Sequence, residues 1–313
     1  MLTNPKKFAP NFLIFAFYLL SAAFLIYLAI FPQNDLFLSN YFKNPNNIFG
    51  ILFEFFGFWP YRLGILLFSS LLIFHRDDVQ NKRVSTTLLL LGLFGMVSQS
   101  FIFSSSVVYY ISDYLGLELQ VPYIFVLTAI MLTVGITFGK KIKPKNIEVM
   151  RLIGVALVFY LFFNLLICDS LKLIWGRMRP TEVTENLIFT AWHLPQGLNG
   201  NKAFPSGHAM HGCVLFIISY ILFKFDSKWF NRGKILLLIS MAWSFCVAVS
   251  RVVVGAHYPS DIIAGLVLGI TCVILSITIS TKHAKILEFR ILPFIMLLVG
   301  IGSLIGNIIY RSG

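Results

Sequence analysis

The sequence predicts an all-α fold, a polytopic membrane helical bundle of about nine transmembrane helices. Three observations predict it. Hydrophobic residues make up 58% of the 313 positions, only 12% are charged, and mean hydropathy is +0.82, outside the balance of a soluble domain. The apolar residues gather in runs close to the roughly 20 that a helix needs to cross a hydrocarbon core. Alternate loops between those runs carry most of the positive charge, as in a chain threaded back and forth through a bilayer.

Lys6 and Lys7 precede the first run, 12–31. It is too long for a typical signal peptide and lacks a small-x-small cleavage site, so it reads as a retained span with a cytoplasmic N-terminus. The second run, 53–74, follows a stretch with several Phe and Asn residues and Glu54, which reads either as the start of that span or as an interfacial amphipathic helix. Further runs follow at 84–108, 122–139, 149–171, 206–224, 235–254 and 259–280. A last run at 289–309 is either a span or a re-entrant segment. The longest polar stretch, about 173–205, holds Gly, Pro and Asn turn signals and can form a lid or a headgroup site.

The net charge of +12 lies in short loops and not in an arginine-rich helix or a basic, aromatic-interleaved strand. It therefore points to membrane orientation and anionic headgroups, and away from nucleic acid. Cys168, Cys213, Cys246 and Cys272 fall inside apolar runs without metal-ligand spacing and read as small packing residues. Internal repeats and low-complexity linkers are not evident, so 1–313 reads as a single integral membrane domain.

Three polar clusters fall at the same ends of the fifth to eighth runs: Lys172-Leu173-Ile174-Trp175-Gly176-Arg177-Met178-Arg179-Pro180, then Pro205-Ser206-Gly207-His208, then Ser250-Arg251 followed by His257 and Asp261. Under the alternating topology all three reach the non-cytoplasmic side. Lys172, Arg179 and Arg251 would repel one another near hydrocarbon unless an anion lay between them. Arginine forks and a lysine point charge suit a tetrahedral oxyanion better than a carboxylate. Arg177 is intermediate: it joins that set, or instead supports the loop or contacts a headgroup. Ser206 suits an N-cap, and Gly207 leaves room for an anion to approach backbone N–H groups. His208 at that mouth suits proton donation to a leaving oxygen. Asp261, four residues after His257, is spaced to hold one imidazole nitrogen and leave the other free to attack. Further ligands of the right type are missing nearby in sequence, so a metal site is not predicted.

These clusters resemble the KxxxxxxRP, PSGH and SRxxxxxHxxxD motifs of the type 2 phosphatidic acid phosphatase superfamily, which includes lipid phosphate phosphatases and vanadium haloperoxidases. All fixed positions are present in order between 172 and 261. The resemblance implies that Lys172, Arg179, Ser206, Gly207 and Arg251 cradle a phosphate, that His257 attacks it, that Asp261 orients His257, and that His208 protonates the departing alcohol. It implies a phosphohistidine intermediate with neither metal nor organic cofactor. A narrower likeness, in Gly176-Arg177-x-Arg179-Pro180 and Phe31-Pro32-Gln33-Asn34-Asp35, is to bacterial lipid phosphatases, including those acting on lipid A, and implies the bacterial inner membrane. The family core has six spans with its first motif after the third, whereas here that motif follows the fifth. Either the pair at 84–139 is inserted into that core or 1–83 precedes it; the Phe31–Asp35 likeness favours insertion, with 1–83 supplying the first two spans, 84–148 an inserted helical hairpin, 149–281 the motifs and 282–313 a C-terminal span.

The expected activity is hydrolysis of a lipid phosphomonoester or diphosphate at the extracytoplasmic face, with lipid A, phosphatidylglycerol phosphate, undecaprenyl diphosphate and phosphatidate as candidates. The expected partners are that substrate and the bilayer. The alternative is a lipid phosphotransferase working through the same intermediate. A transporter or scramblase would show buried charge at mid-span, which is scarce here: the nearest case, Asp169, ends a span and reads as support for Lys172 or the backbone.

Overall fold

A computed structural model describes residues 11–76, 81–117, 121–143, 146–184, 189–225 and 230–290, with positions 295 and 301. Helices account for nearly all of the regular structure. They are α1 (Asn11–Ile30), α2 (Pro32–Phe42), α3 (Ile48–Phe56), α4 (Trp59–Phe74), α5 (Lys82–Leu115), α6 (Val121–Lys141), α7 (Ile147–Phe163), α8 (Ser170–Trp175), α9 (Gly207–Gly212), α10 (Leu215–Phe225), α11 (Phe230–Val253) and α12 (Pro259–Arg290). A π-helical turn, Asn164–Asp169, joins α7 to α8.

Among the described residues, eight helical stretches are long and apolar enough to cross a membrane: Phe12–Ile30, Ile48–Phe74, Lys82–Tyr114, Val121–Lys141, Ile147–Trp175, Gly207–Lys224, Arg232–Val253 and Pro259–Lys282. They coincide with the first eight predicted runs to within a few residues. The ninth, 289–309, lies outside the described residues except at positions 289, 290, 295 and 301. The stretch before the second span holds two short helices. Pro32, whose fixed φ suits a first helical turn, opens α2. Asn47 caps α3 by accepting from the N–H groups of Phe49 and Gly50.

The chain divides into two compact units, one comprising 1–58 and 163–275, the other 59–162 and 276–313. In the second, α4, α5 and α6 close on a core of Leu66, Ile73, Met96, Phe103 and Met131. Its helices approach closely at glycines: a Cβ on Gly154 would overlap the ring of Phe68, and one on Gly139 the ring of Phe74.

The first unit carries all three clusters. Ala209, Ala248, Val252 and Ile262 form the apolar centre between α9, α11 and α12. Small residues again set the spacing: a Cβ on Gly265 would lie 2.4 Å from the Ser206 carbonyl oxygen, and one on Gly269 would lie 2.9 Å from that of Met210. Seating α9 on the first turns of α12 requires a glycine at both positions. The four cysteines are free thiols, three of them buried, in keeping with a packing role.

Candidate active site

A π turn precedes α8, and the side chain of Lys172 reaches α9: a Cβ at Gly207 would lie 2.9 Å from its Nζ. Asp169 pairs with the same ammonium at 3.7 Å, the supporting role expected of it. Gly176 ends α8 with φ +52°, and a Cβ there would lie 2.1 Å from the Gly197 carbonyl oxygen, so no other residue fits. The polar stretch beyond it is tied down. Gln196 N donates to Trp175 O at 2.8 Å, Ala203 N to Arg177 O at 2.9 Å, and Asn199 Nδ2 to Gly176 O at 2.7 Å. Phe204 stacks between Trp175 and Trp192 with centroids 4.8 and 5.9 Å away.

That loop delivers Ser206 to the start of α9, where its hydroxyl caps Ala209 N. Its own N–H donates to Asp261 O at 3.0 Å, joining the second cluster to the third. After α11 the chain reverses in a tight turn. Gly255 takes φ +76°, and the N–H groups of Ala256 and His257 both reach Arg251 O, at 3.0 and 3.1 Å. Two residues six apart in sequence thus share one turn.

His257 is 3% exposed, and its Nδ1 lies 3.4 Å from Asp261 Oδ2, at the outer edge of hydrogen-bond reach. Burial pushes the imidazole down to about 4. Asp261 opposes this, while the charges of Arg251 and Arg179 add to it. His208 is half-buried, with its enclosed Nε2 lacking a hydrogen-bond partner, and it lies within the electrostatic reach of Arg251, His257, His211 and Lys172. Its ring packs against that of Phe58, with centroids 4.0 Å apart. Lys172, Arg179, Ser206, Gly207, His208, Arg251, His257 and Asp261 are therefore brought into one neighbourhood, with two imidazoles among the cations.

Of the roles left open for Arg177, its surroundings fit the supporting one. It is 1% exposed and every guanidinium nitrogen is engaged. Nε donates to Thr190 O at 3.0 Å, Nη1 to Ser260 Oγ at 2.7 Å and Asp261 Oδ1 at 2.5 Å, and Nη2 to Asp35 Oδ2 at 2.8 Å. The guanidinium also lies over the Tyr258 ring, 4.0 Å from its centroid. Burial works against the Arg177 charge, yet the carboxylates of Asp261 and Asp35 outweigh it and raise its pKa. Burial likewise pushes Asp35 above the ordinary carboxylate range, with Arg177 pulling the other way. Removing one partner of such a buried pair typically costs about 3–5 kcal/mol, so these side chains hold as a set.

Sequence reasoning passed over three contributors. Asp35 entered it only as part of a family likeness, Glu54 only as a blemish on a span, and Phe58 not at all. Glu54 lies 2.5 Å from Arg251 Nη1, both largely buried. The available signal was an acidic residue in or beside an apolar run, which needs a cationic partner.

An all-α membrane protein with a cationic cradle against a His–Asp pair has the parts for nucleophilic attack on a phosphorus centre. Residues 153–285 match the PAP2 superfamily. It is 33% identical over 117 residues to a lipid A 1-phosphatase of Rhizobium johnstonii, covering 37% of this chain and 43% of that one. To a lipid A 4'-phosphatase of Bacteroides thetaiotaomicron it is 31% identical over 117 residues, 37% of this chain and 48% of the other. To a phosphatidylglycerophosphatase B of Bacillus subtilis it is 33% identical over 89 residues, 28% and 42% of the two chains. The chain thus spans less than half the length of these curated relatives. No solved structure matches.

Proposed function

We propose that this chain is a membrane lipid phosphatase that hydrolyses a phosphomonoester or diphosphate of a lipid at the extracytoplasmic face, through a phosphohistidine at His257. The observation that carries this reading is the meeting of Lys172 with Gly207 beside His208, in the same neighbourhood as Arg251 and the His257–Asp261 pair. The names of the relatives support the substrate class, and the charge asymmetry of the loops supports the face.

The headgroup enters from the outer leaflet while its tails stay in lipid. Lys172, Arg179 and Arg251, with the N–H groups around Ser206 and Gly207, neutralise the phosphoryl oxygens. The Nε2 lone pair of His257 forms a bond to phosphorus as the phosphorus–oxygen bond to the lipid breaks, and His208 gives its proton to the departing oxygen. Water then attacks the phosphohistidine, its proton passes to His208, and the phosphorus–nitrogen bond breaks to return neutral His257. Each step balances without a redox partner.

The low pKa of His257 fixes one sign. The nucleophile must be neutral, and with a pKa near 4 it stays so at neutral pH. Activity due to this group falls only as pH drops through about 4, not through the ordinary imidazole value of 6.5. Values of kcat/KM measured against pH, corrected for ionisation of the substrate, should therefore show the acid limb of a bell-shaped profile near pH 4. A limb near 6.5 would contradict the burial of His257.

The function itself is tested on purified, detergent-solubilised protein offered phosphatidate, phosphatidylglycerol phosphate, undecaprenyl diphosphate and lipid A, each with labelled phosphate and with chelator present. The expected result is label in free phosphate from at least one of them. Label carried into a second lipid would make the chain a phosphotransferase, and no release from any would reject the reading.

A further inference from the structure

We infer that Asp35 is a positioning residue, which with Arg177 forms a buried charged clasp that holds Asp261, and through it the His257 ring, in the attacking orientation. This rests on the reading of His257 as nucleophile. The clasp begins on α2, far from the motifs in sequence. Asp35 is 1% exposed and both of its oxygens are used. Oδ1 accepts from Ser260 N at 3.0 Å, and Oδ2 accepts from the Ser260 hydroxyl and, at 2.8 Å, from Arg177 Nη2. Arg177 Nη1 passes the contact on to Asp261 Oδ1 at 2.5 Å and to Ser260 Oγ at 2.7 Å. Asp261 is then fully engaged, since Oδ2 accepts from Tyr258 N at 3.0 Å and faces His257 Nδ1 at 3.4 Å.

Two further bonds bind the same N-terminal segment to the turn that carries the nucleophile. Ser39 Oγ donates to His257 O at 3.4 Å, and Asn44 N donates to Val253 O at 2.7 Å. The segment from α2 to the loop after it therefore fixes the His257 backbone, while Asp35 fixes the carboxylate that orients its ring.

The charges explain why a second carboxylate is present. One guanidinium lies between Asp35 and Asp261, so its field is shared. With Asp35 neutral, Arg177 would act on Asp261 alone and draw its electron density away from the Nδ1 proton of His257. The imidazole would then be less firmly oriented and its phosphorylated form less stabilised. Asn at position 35 keeps the size and the acceptor oxygen while removing that charge, and it leaves a one-to-one ion pair behind.

The D35N variant is expected to lower kcat roughly 10- to 100-fold, as loss of an outer partner of an oriented histidine commonly does, with KM changed by less than about twofold. The burst rate of phosphohistidine formation from an aryl phosphate should fall by the same factor, which a purely structural role would not produce in a variant that melts like the parent. D35E, which restores the charge, should recover part of the loss. If D35N does not purify as a monodisperse species, S260A removes only the hydroxyl between Asp35 and Arg177 and should lower kcat about fivefold by the same route. Parental kcat in a folded variant, or a raised KM with unchanged kcat, would overturn the inference. If H257A is inactive and D35N is fully active, the clasp alone fails. If H257A turns over, the reading of the whole site fails with it.

Discussion

Replacing His257 by Ala is expected to reduce phosphate release from the preferred lipid by roughly 10⁴-fold or more, the scale of losing an enzymatic nucleophile. Cations remain in the variant, so the substrate still binds, and KM for any residual rate should stay near that of the parent. The small side chain removes a buried imidazole from a turn already held by Arg251 O, Ser39 Oγ and the start of α12, so the variant should remain folded in detergent. Phosphate release by H257A within about 100-fold of the parent would refute the assignment, because positioning and cationic stabilisation do not replace a covalent step.

The second large effect is at His208, and it depends on the leaving group. A lipid alcohol departs as a poor, strongly basic oxyanion and needs a proton in the transition state. Replacing His208 by Ala should therefore lower kcat on the lipid phosphate by about 10³-fold, within the usual range for a general acid. With p-nitrophenyl phosphate, whose leaving group departs without help, phosphorylation of His257 should slow by less than about tenfold. Water activation for the second step is lost with either substrate, so the phosphoenzyme should accumulate with the aryl phosphate, whose phosphorylation stays fast. Equal losses of the phosphorylation rate for lipid and aryl substrates would show that His208 acts through packing against Phe58 and not through its proton.

The two imidazoles and the motif cations were legible because each cluster is local: a few residues at fixed spacing announce their chemistry without knowledge of the fold. Eight spans were legible for the same reason, since hydropathy over some 20 residues needs no tertiary information. The clasp and the Glu54 contact depend instead on distant parts of the chain. Asp35 lies 142 positions before Arg177 and 225 before Ser260. No periodicity connects such residues. Arg177 shows the difference most clearly: its neighbours in sequence place it beside Arg179 in a cationic cluster, whereas the fold surrounds it with carboxylates and the Tyr258 ring. The π turn was likewise out of reach, because Asn164–Asp169 reads as ordinary helix in an apolar run.

A chemical trap tests the central claim most directly. The H208A variant is mixed with an aryl phosphate carrying labelled phosphorus, quenched in alkali and mapped by peptide. Acid-labile, alkali-stable label is expected on the imidazole of His257, at close to one phosphoryl group per chain. Turnover of the parent on the same substrate, with label on another residue or on none in the variant, would contradict it.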